Sequence, residues 1–183
     1  MSRIKNKRIL KRIIPEIQFV AYSIYELVNI VKDQFFSDIN HKVSINFFYQ
    51  RPLACIQHND ESASIKMHSI LNHKETPKEV ILFVIKHELL HLAIPPRVIK
   101  KRLVKHPPEF FEREKFISPE YELIWRWLDY NFFHCLKVCN RKEQVLVTSE
   151  WKEIMYEKRL SFKEVMDIIS PKEASRALEM SFI

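Results

Sequence analysis

Two histidines and a glutamate lie within the five residues His87-Glu88-Leu89-Leu90-His91. On an α-helix, residues four apart leave the same face, separated by about 6 Å along the axis. Two imidazoles at that spacing can hold one Zn²⁺ at about 2.0–2.1 Å each, and the glutamate beside them can activate a water molecule. The pattern therefore predicts a zinc site with Glu88 as general base, an arrangement that hydrolyses peptide bonds.

The sequence around this motif predicts a buried helix. Thr76-Pro77-Lys78-Glu79 is typical of a capping box with proline at the first helical position, and Pro95-Pro96 predicts the end of the helix. Apolar residues lie nearly all round this helix, which is typical of a buried one. Because two histidines and a glutamate are costly to bury without a common partner, the context favours a shared metal ion.

The elements before the motif predict an α+β fold. A helix is expected from Pro15 to about Phe36, because apolar residues recur there at helical spacing. Alternating apolar residues then predict three strands, near residues 43–49, 53–58 and 63–67, separated by breaks at Arg51-Pro52 and Asn59-Asp60. We expect these strands to form a small, mostly antiparallel sheet.

The elements after the motif are predicted to be helical. Pro107-Pro108 and Ser118-Pro119 are start signals, with Phe110, Phe111, Phe116 and Ile117 expected in the core. Trp125 and Trp127 lie at helical spacing beside leucines, which favours core positions over stacking on nucleic-acid bases. Two further capping boxes begin at Ser161 and Ser170, so the carboxyl-terminal part of the chain is expected to be helical too.

Composition narrows the class of protein. The chain has 183 residues and no glycine, which excludes glycine-rich phosphate-binding loops and therefore P-loop and Rossmann proteins. Positions with positive φ are expected to use Asn or Asp. Three cysteines favour a reduced, cytoplasmic protein without a disulfide framework. No apolar run approaches the ~20 residues of a membrane span, so no membrane partner is expected.

The net charge of +7 is concentrated in two runs that contain no acidic residue. Such clusters suit polyanions, nucleic acid first, although a solvated surface is the plain alternative. The first run is Arg3, Lys5, Lys7, Arg8, Lys11 and Arg12, and the second is Arg97, Lys100, Lys101, Arg102 and Lys105.

A catalytic zinc normally has three protein ligands, and the third divides the known classes. Metzincins place a histidine six residues after the second ligand, where this chain has Arg97, so they are excluded. A histidine after the motif helix is one remaining option, and His106 alone lies between His91 and His134. A glutamate on a following helix, as in gluzincins, is the other, with candidates Glu109, Glu112, Glu114, Glu120 and Glu122.

The segment from about Val43 to Phe116 resembles the SprT-like (Spartan-like) metalloprotease family. Members have a β-rich segment, then His-Glu-x-x-His, a loop, and a His-Gly-x-x-Phe or His-Gly-x-x-Trp motif that supplies the third ligand. The segment His106 to Phe110 matches at the corresponding distance, with Pro107 in place of glycine. The resemblance implies a zincin-like fold, one zinc ion bound by His87, His91 and His106, and Glu88 as the general base.

The resemblance also implies substrates and partners. SprT-like proteases digest proteins on DNA, including covalent DNA–protein crosslinks, and contact DNA through basic surfaces. The second basic run lies between His91 and His106, so Arg97, Lys100, Lys101, Arg102 and Lys105 are expected at the mouth of the active site as candidate DNA contacts. The third predicted strand, ending near Ser69, is a candidate edge for an extended substrate.

Three functions remain open from the sequence. The first is a SprT-like zinc protease acting on DNA-bound proteins, and the second is a small gluzincin peptidase that uses Glu120 or Glu122 and has no link to DNA. The third is a non-catalytic, basic nucleic-acid-binding module with a structural zinc. For the leading interpretation we expect a basic arm at 1–14, a zincin-like protease domain at 15–140 and a helical extension at 141–183 packed on it.

Overall fold

The computed structural model describes residues 20–49, 51–139 and 144–169. The basic arm, the predicted start of the first helix at Pro15 and the capping box at Ser170 lie outside the described residues. The described part is α+β, as the sequence predicts, and its helices and strands share one hydrophobic core.

A three-stranded sheet precedes the motif helix, with strands β1 (Lys42–Phe48), β2 (Ala54–His58) and β3 (Ser62–His68) close to the predicted positions. A turn at Asn59 joins β2 to β3, and the Asn59 side-chain oxygen accepts the backbone N–H of Ser62 at 2.8 Å. This tight turn makes β2 and β3 antiparallel.

Two predictions about this sheet are wrong. The strand order is β1-β3-β2 and β1 is parallel to β3, so the sheet is mixed rather than mostly antiparallel. In consequence β3 is the central strand and cannot offer a free edge to a substrate. Among the described residues no strand pairs with the outer side of β2, which is the edge that faces the motif helix.

Two helices pack together on this sheet. Helix α1 (Ile24–Phe35) begins after Ser23, whose hydroxyl accepts the backbone N–H of Glu26 at 3.3 Å. Helix α2 (Lys78–Ala93) carries the motif and ends just before Pro95, as predicted, and it contacts α1, β2 and β3. It is buried on most sides, with Ile81, Ile85 and Leu89 excluded from solvent.

The predicted capping box at the start of α2 is wrong. Pro77 occupies the N-cap position, so Thr76 lies one residue too early to cap the helix. The Thr76 carbonyl instead accepts the Tyr22 hydroxyl at 3.0 Å, which ties the start of α2 to the segment before α1. The proline supplies the fixed φ, and the Tyr22 contact anchors the start of the helix without satisfying the N–H groups of its first turn.

A hairpin and two helices follow the motif. The hairpin consists of β4 (Arg97–Ile99) and β5 (Arg102–Val104), and the helices are α3 (Pro108–Ile117) and α4 (Tyr121–Phe132). Phe110 and Ile117 are buried as predicted, but Phe111 and Phe116 are 45% and 75% exposed. Only one face of α3 packs on the rest of the protein. Phe111 and Phe116 lie outside that face and remain at the surface.

The chain beyond α4 contains strands that the sequence did not indicate. Strands β6 (Leu136–Cys139) and β7 (Gln144–Val147) form an antiparallel pair. Residues 162–169 are helical, and the predicted capping box is confirmed because Ser161 and Glu164 exchange hydrogen bonds of 2.7 and 3.2 Å. Val147, Trp151 and Val165 belong to the same core as α2.

Among the described residues, no helix combines the length and the apolar character needed to cross a bilayer.

Candidate metal centre

Three imidazoles converge at the end of α2. His87 and His91 leave the same face of the helix, and His106, fifteen residues after His91, reaches them from the loop before α3. One nitrogen from each ring lies within 4.8 Å of the other two, and the Nε2 atoms of His91 and His106 are 3.2 Å apart.

This spacing fits a divalent metal ion. Tetrahedral coordination with bonds of about 2.0–2.1 Å places two nitrogen ligands about 3.3–3.4 Å apart, close to the separation of His91 and His106. A set of neutral imidazoles suits Zn²⁺ among the common metals, although Cu, Fe and Ni also bind such ligands. The three histidines therefore form a candidate metal site in which an open position can remain for water or substrate.

Pro107 does not prevent His106 from reaching this site. It has φ −64° and ψ 163°, an extended conformation that proline adopts without strain, and it is the N-cap of α3. Pro108 then occupies the first helical position, where its missing N–H is not needed. The two prolines thus turn the chain from the hairpin into α3 directly after the histidine.

The Phe110 ring packs against all three histidine rings. Its own ring is fully buried, and its centroid lies 5.1, 4.8 and 4.7 Å from those of His87, His91 and His106. Because α3 carries this phenylalanine and follows His106 directly, the packing of α3 on α2 sets the position of the third histidine.

Glu114 fixes the orientation of His87. The buried carboxylate of Glu114 lies 2.5 Å from Nδ1 of His87, so Nδ1 donates and Nε2 is left to bind a metal. Carboxylates commonly orient metal-binding histidines in this way. The sequence offered Glu114 only as a possible third ligand, whereas its position one turn beyond Phe110 on α3 makes it a partner of His87.

Replacing Glu114 with glutamine is expected to weaken zinc binding by about 10–100-fold, because the neutral amide holds the imidazole less firmly. Competition with a chromophoric chelator would measure the zinc dissociation constant. Glu112→Gln is the matched control, since Glu112 is exposed on the same helix. Equal affinities for the two variants would show that Glu114 does not orient the ligand.

Glu88 lies beside the histidines and is buried. Its carboxylate accepts the backbone N–H of Ile56, and burial raises its pKa to about 7 against the opposing effects of His87, Lys105 and that hydrogen bond. The contact with Ile56 places this carboxylate against the free edge of β2.

The surroundings shift the pKa values of the candidate ligands His91 and His87 in opposite directions. Burial, followed by the proximity of His87, His106 and Lys105, lowers the pKa of His91 to about 3. A neutral imidazole is the form that coordinates a metal ion. For His87, burial lowers the pKa, but the Glu114 hydrogen bond and the charges of Glu88 and Glu114 outweigh it and raise the pKa overall.

The other glutamates considered as ligands lie away from the three rings. Glu120 accepts Nζ of Lys86 at 3.3 Å, and Glu109 pairs with Arg97. Glu112 is exposed on α3, and Glu122 lies in the first turn of α4. Among the described residues, the group that gathers around one point consists of the three histidines alone.

A cleft of about 630 Å³ contains this centre. Residues of β2, of the motif helix, of α3 and α4 and of the β6–β7 pair line it. Trp127 is fully buried and donates to the Leu160 carbonyl at 2.6 Å, as predicted for a core residue, whereas Trp125 is half-buried and lines the cleft. No pattern in the sequence indicated this lining, because its residues come from separate elements.

The second basic run forms the β4–β5 hairpin beside the cleft. Arg97, Lys100, Lys101 and Arg102 are exposed, and Lys105 lines the cleft itself. Lys100 and Lys101 have φ of 49° and 64°, so lysines rather than the expected Asn or Asp take the positive-φ positions. A two-residue hairpin turn of type I′ requires positive φ at both positions, and glycine is absent from the chain.

No protein-family model matches this chain, and a search of curated proteins finds no relative. The resemblance to SprT-like proteases therefore rests on the motif residues themselves.

Proposed function

We propose that this protein is a zinc-dependent protease of the SprT-like type, with His87, His91 and His106 as ligands and Glu88 as general base. One observation carries the proposal: three imidazoles and a buried carboxylate meet on a single cleft that runs along an unpaired strand edge. A structural zinc site would need neither the cleft nor a carboxylate that is not itself a ligand.

In this proposal the chain's own residues transfer the protons and position the reacting groups. When bound, a zinc ion supplies Lewis-acid polarisation of the scissile carbonyl and makes water easier to deprotonate. Glu88 takes the proton from the attacking water and passes it to the leaving amine. The Ile56 N–H holds the carboxylate in position for both transfers, and Glu114 holds the ring of His87.

The free edge of β2 supports an extended peptide as substrate. In the β2–β3 pair, hydrogen bonds join Leu53 to His68 and Asn59 to Ser62. Because the pattern alternates along an antiparallel strand, the N–H and C=O groups of Ala54, Ile56 and His58 point away from β3. The contact between Ile56 and Glu88 agrees with that direction. An extended chain can add to this edge through main-chain hydrogen bonds to Ala54, to His58 and to the Ile56 carbonyl, since the Ile56 N–H is held by Glu88.

The proposal extends to proteins bound or crosslinked to DNA. Its support is the basic hairpin, because four exposed cations there adjoin the mouth of the cleft and Lys105 enters it. A phosphate backbone held on this hairpin would bring an attached protein close to the three histidines.

Digestion of casein and histones by the purified protein tests the protease proposal. We expect cleavage in the presence of zinc, loss of cleavage after chelation, and recovery when zinc is restored. The metal content of each sample should be measured in parallel. A zinc-loaded, folded protein that cleaves neither substrate would contradict the proposal and favour a structural zinc site.

The same assay with added single- or double-stranded DNA tests the nucleic-acid part. Cleavage of DNA-bound histone should rise with DNA and fall steeply as salt increases from about 50 to 200 mM, because phosphate contacts release counterions. A cleavage rate that changes with neither DNA nor salt would contradict the proposed action on DNA-bound proteins. It would leave the protease proposal intact and favour a peptidase unrelated to DNA.

A further inference from the structure

Beside His87, the cleft is lined by aromatic side chains. The Phe83 ring centroid lies 6.4 Å from that of His87, and 5.8 and 6.0 Å from those of Tyr121 and Trp125. We call this region the aromatic arm and define it by its lining residues. They are Phe83, Val84, Tyr121, Trp125, Leu128, Val138 and Val145.

The chemistry of the aromatic arm suits a large apolar side chain. None of its seven defining residues carries a charge, and Glu114, which lies nearby, is buried and engaged by His87. Removing an aromatic side chain from water buries about 150–250 Å², and aromatic neighbours add favourable edge-to-face contacts. A basic or acidic side chain would lose its hydration in the arm without gaining a free partner of opposite charge.

The position of the aromatic arm relative to β2 indicates which substrate residue enters it. The Leu53 N–H, just before β2, donates to the Val145 carbonyl at 2.8 Å, so the arm lies toward the beginning of this strand. Glu88 contacts Ile56, which places the reacting centre further along the strand. A substrate paired antiparallel to β2, the slightly more stable orientation, runs toward Leu53 with its carboxyl-terminal part.

We infer that the aromatic arm binds a large apolar side chain, aromatic ones best, on the substrate residue directly after the cleaved bond. This inference rests on the proposed protease function and adds a substrate preference to it. The preference depends on α4 and the β6–β7 pair as well as on the motif helix, since five of the seven defining residues lie on α4, β6 or β7.

Cleavage-site mapping in a diverse peptide mixture tests the inference. After digestion by the zinc-loaded protein, the residue following each cut should be Phe, Leu, Met, Tyr or Trp far more often than in the mixture. Matched peptides with Phe or Ala at that position should differ in kcat/KM by at least about tenfold, because selection by an apolar pocket is worth that much. A preference on the other side of the cut, or none, would overturn it.

Two variants should both weaken the preference for Phe, one by opening the aromatic arm and the other by filling it. Trp125→Ala removes one wall and should reduce the advantage of Phe over Ala several-fold, while Val145→Trp fills the aromatic arm and should favour Ala. Phe133→Ala is the matched control, because Phe133 is 72% exposed and does not line the cleft. Circular dichroism and zinc content would show that each variant is folded and loaded. An unchanged preference in both folded variants would contradict the inference.

A binding measurement separates this inference from the protease proposal. Calorimetry with zinc-loaded Glu88→Gln protein should show tighter binding of the Phe peptide than of the Ala peptide. Tighter binding without cleavage by wild-type protein would refute the protease and leave the aromatic arm as a binding pocket. Cleavage without a preference would refute the role of the aromatic arm and leave the protease.

Discussion

Glu88→Gln is expected to lower the rate of peptide hydrolysis by about 10²–10⁴-fold, the usual contribution of a positioned general base. Glutamine has nearly the same shape and can still accept the Ile56 N–H, but it cannot take a proton from water. Initial rates of casein cleavage, normalised to bound zinc, would measure the loss.

The zinc content of the Glu88→Gln protein should be unchanged, because Glu88 is not among the three clustered ligands. Glu79→Gln is the control on the same helix, since Glu79 is exposed in its first turn. Full activity in a zinc-loaded Glu88→Gln protein would exclude Glu88 as the base. If wild type and variant were both inactive and otherwise alike, the non-catalytic module would become the better explanation.

His106→Ala is expected to weaken zinc binding by more than the roughly 10–100-fold that follows the loss of an outer-shell partner, because a direct ligand is removed. His87 and His91, one turn apart on α2, would remain. Two protein ligands are fewer than the three that a catalytic zinc normally has. Zinc per chain after dialysis and a chelator competition would give the stoichiometry and the affinity.

The variants Glu120→Gln and Glu122→Gln are the controls for His106→Ala. Both should keep wild-type zinc affinity, although Glu120→Gln would remove the charged partner of the buried Lys86 and so lower the stability of the fold. The opposite result, with zinc retained in His106→Ala and lost in one of the glutamate variants, would support the gluzincin interpretation.

The residues of the site whose positions depend only on helical periodicity could be predicted from the sequence. His87 and His91 are four residues apart, so any helix brings them to one face, and Pro95-Pro96 sets the end of that helix. The three strands were also predictable, because alternation along a strand is a local pattern. The order of the strands was not predictable, because β1 could pair with either β2 or β3 without any change in the alternation.

The tertiary structure was needed to show which candidate third ligand lies beside the two helix-borne histidines. The resemblance to SprT-like proteases predicted His106, while the residues alone also left several glutamates open. The packing of α3 on α2 brings His106 to the other two rings. The same packing turns Glu114 from a candidate ligand into the partner of His87. Phe110 supports the histidines while its neighbour Phe111 is exposed, a difference that depends on which face of α3 meets α2.

The sequence by itself determined the helix-borne pair of histidines, the glutamate between them, the α+β class and the absence of glycine-dependent phosphate sites. Only the tertiary structure showed that His106, rather than one of the glutamates, joins the other two histidines. It alone decided the outer edge of β2, the aromatic arm and the exposure of the basic hairpin. The physical reason is range: helical and strand periods act between residues a few positions apart, whereas these features join elements that are distant in the chain and meet only through packing of the core.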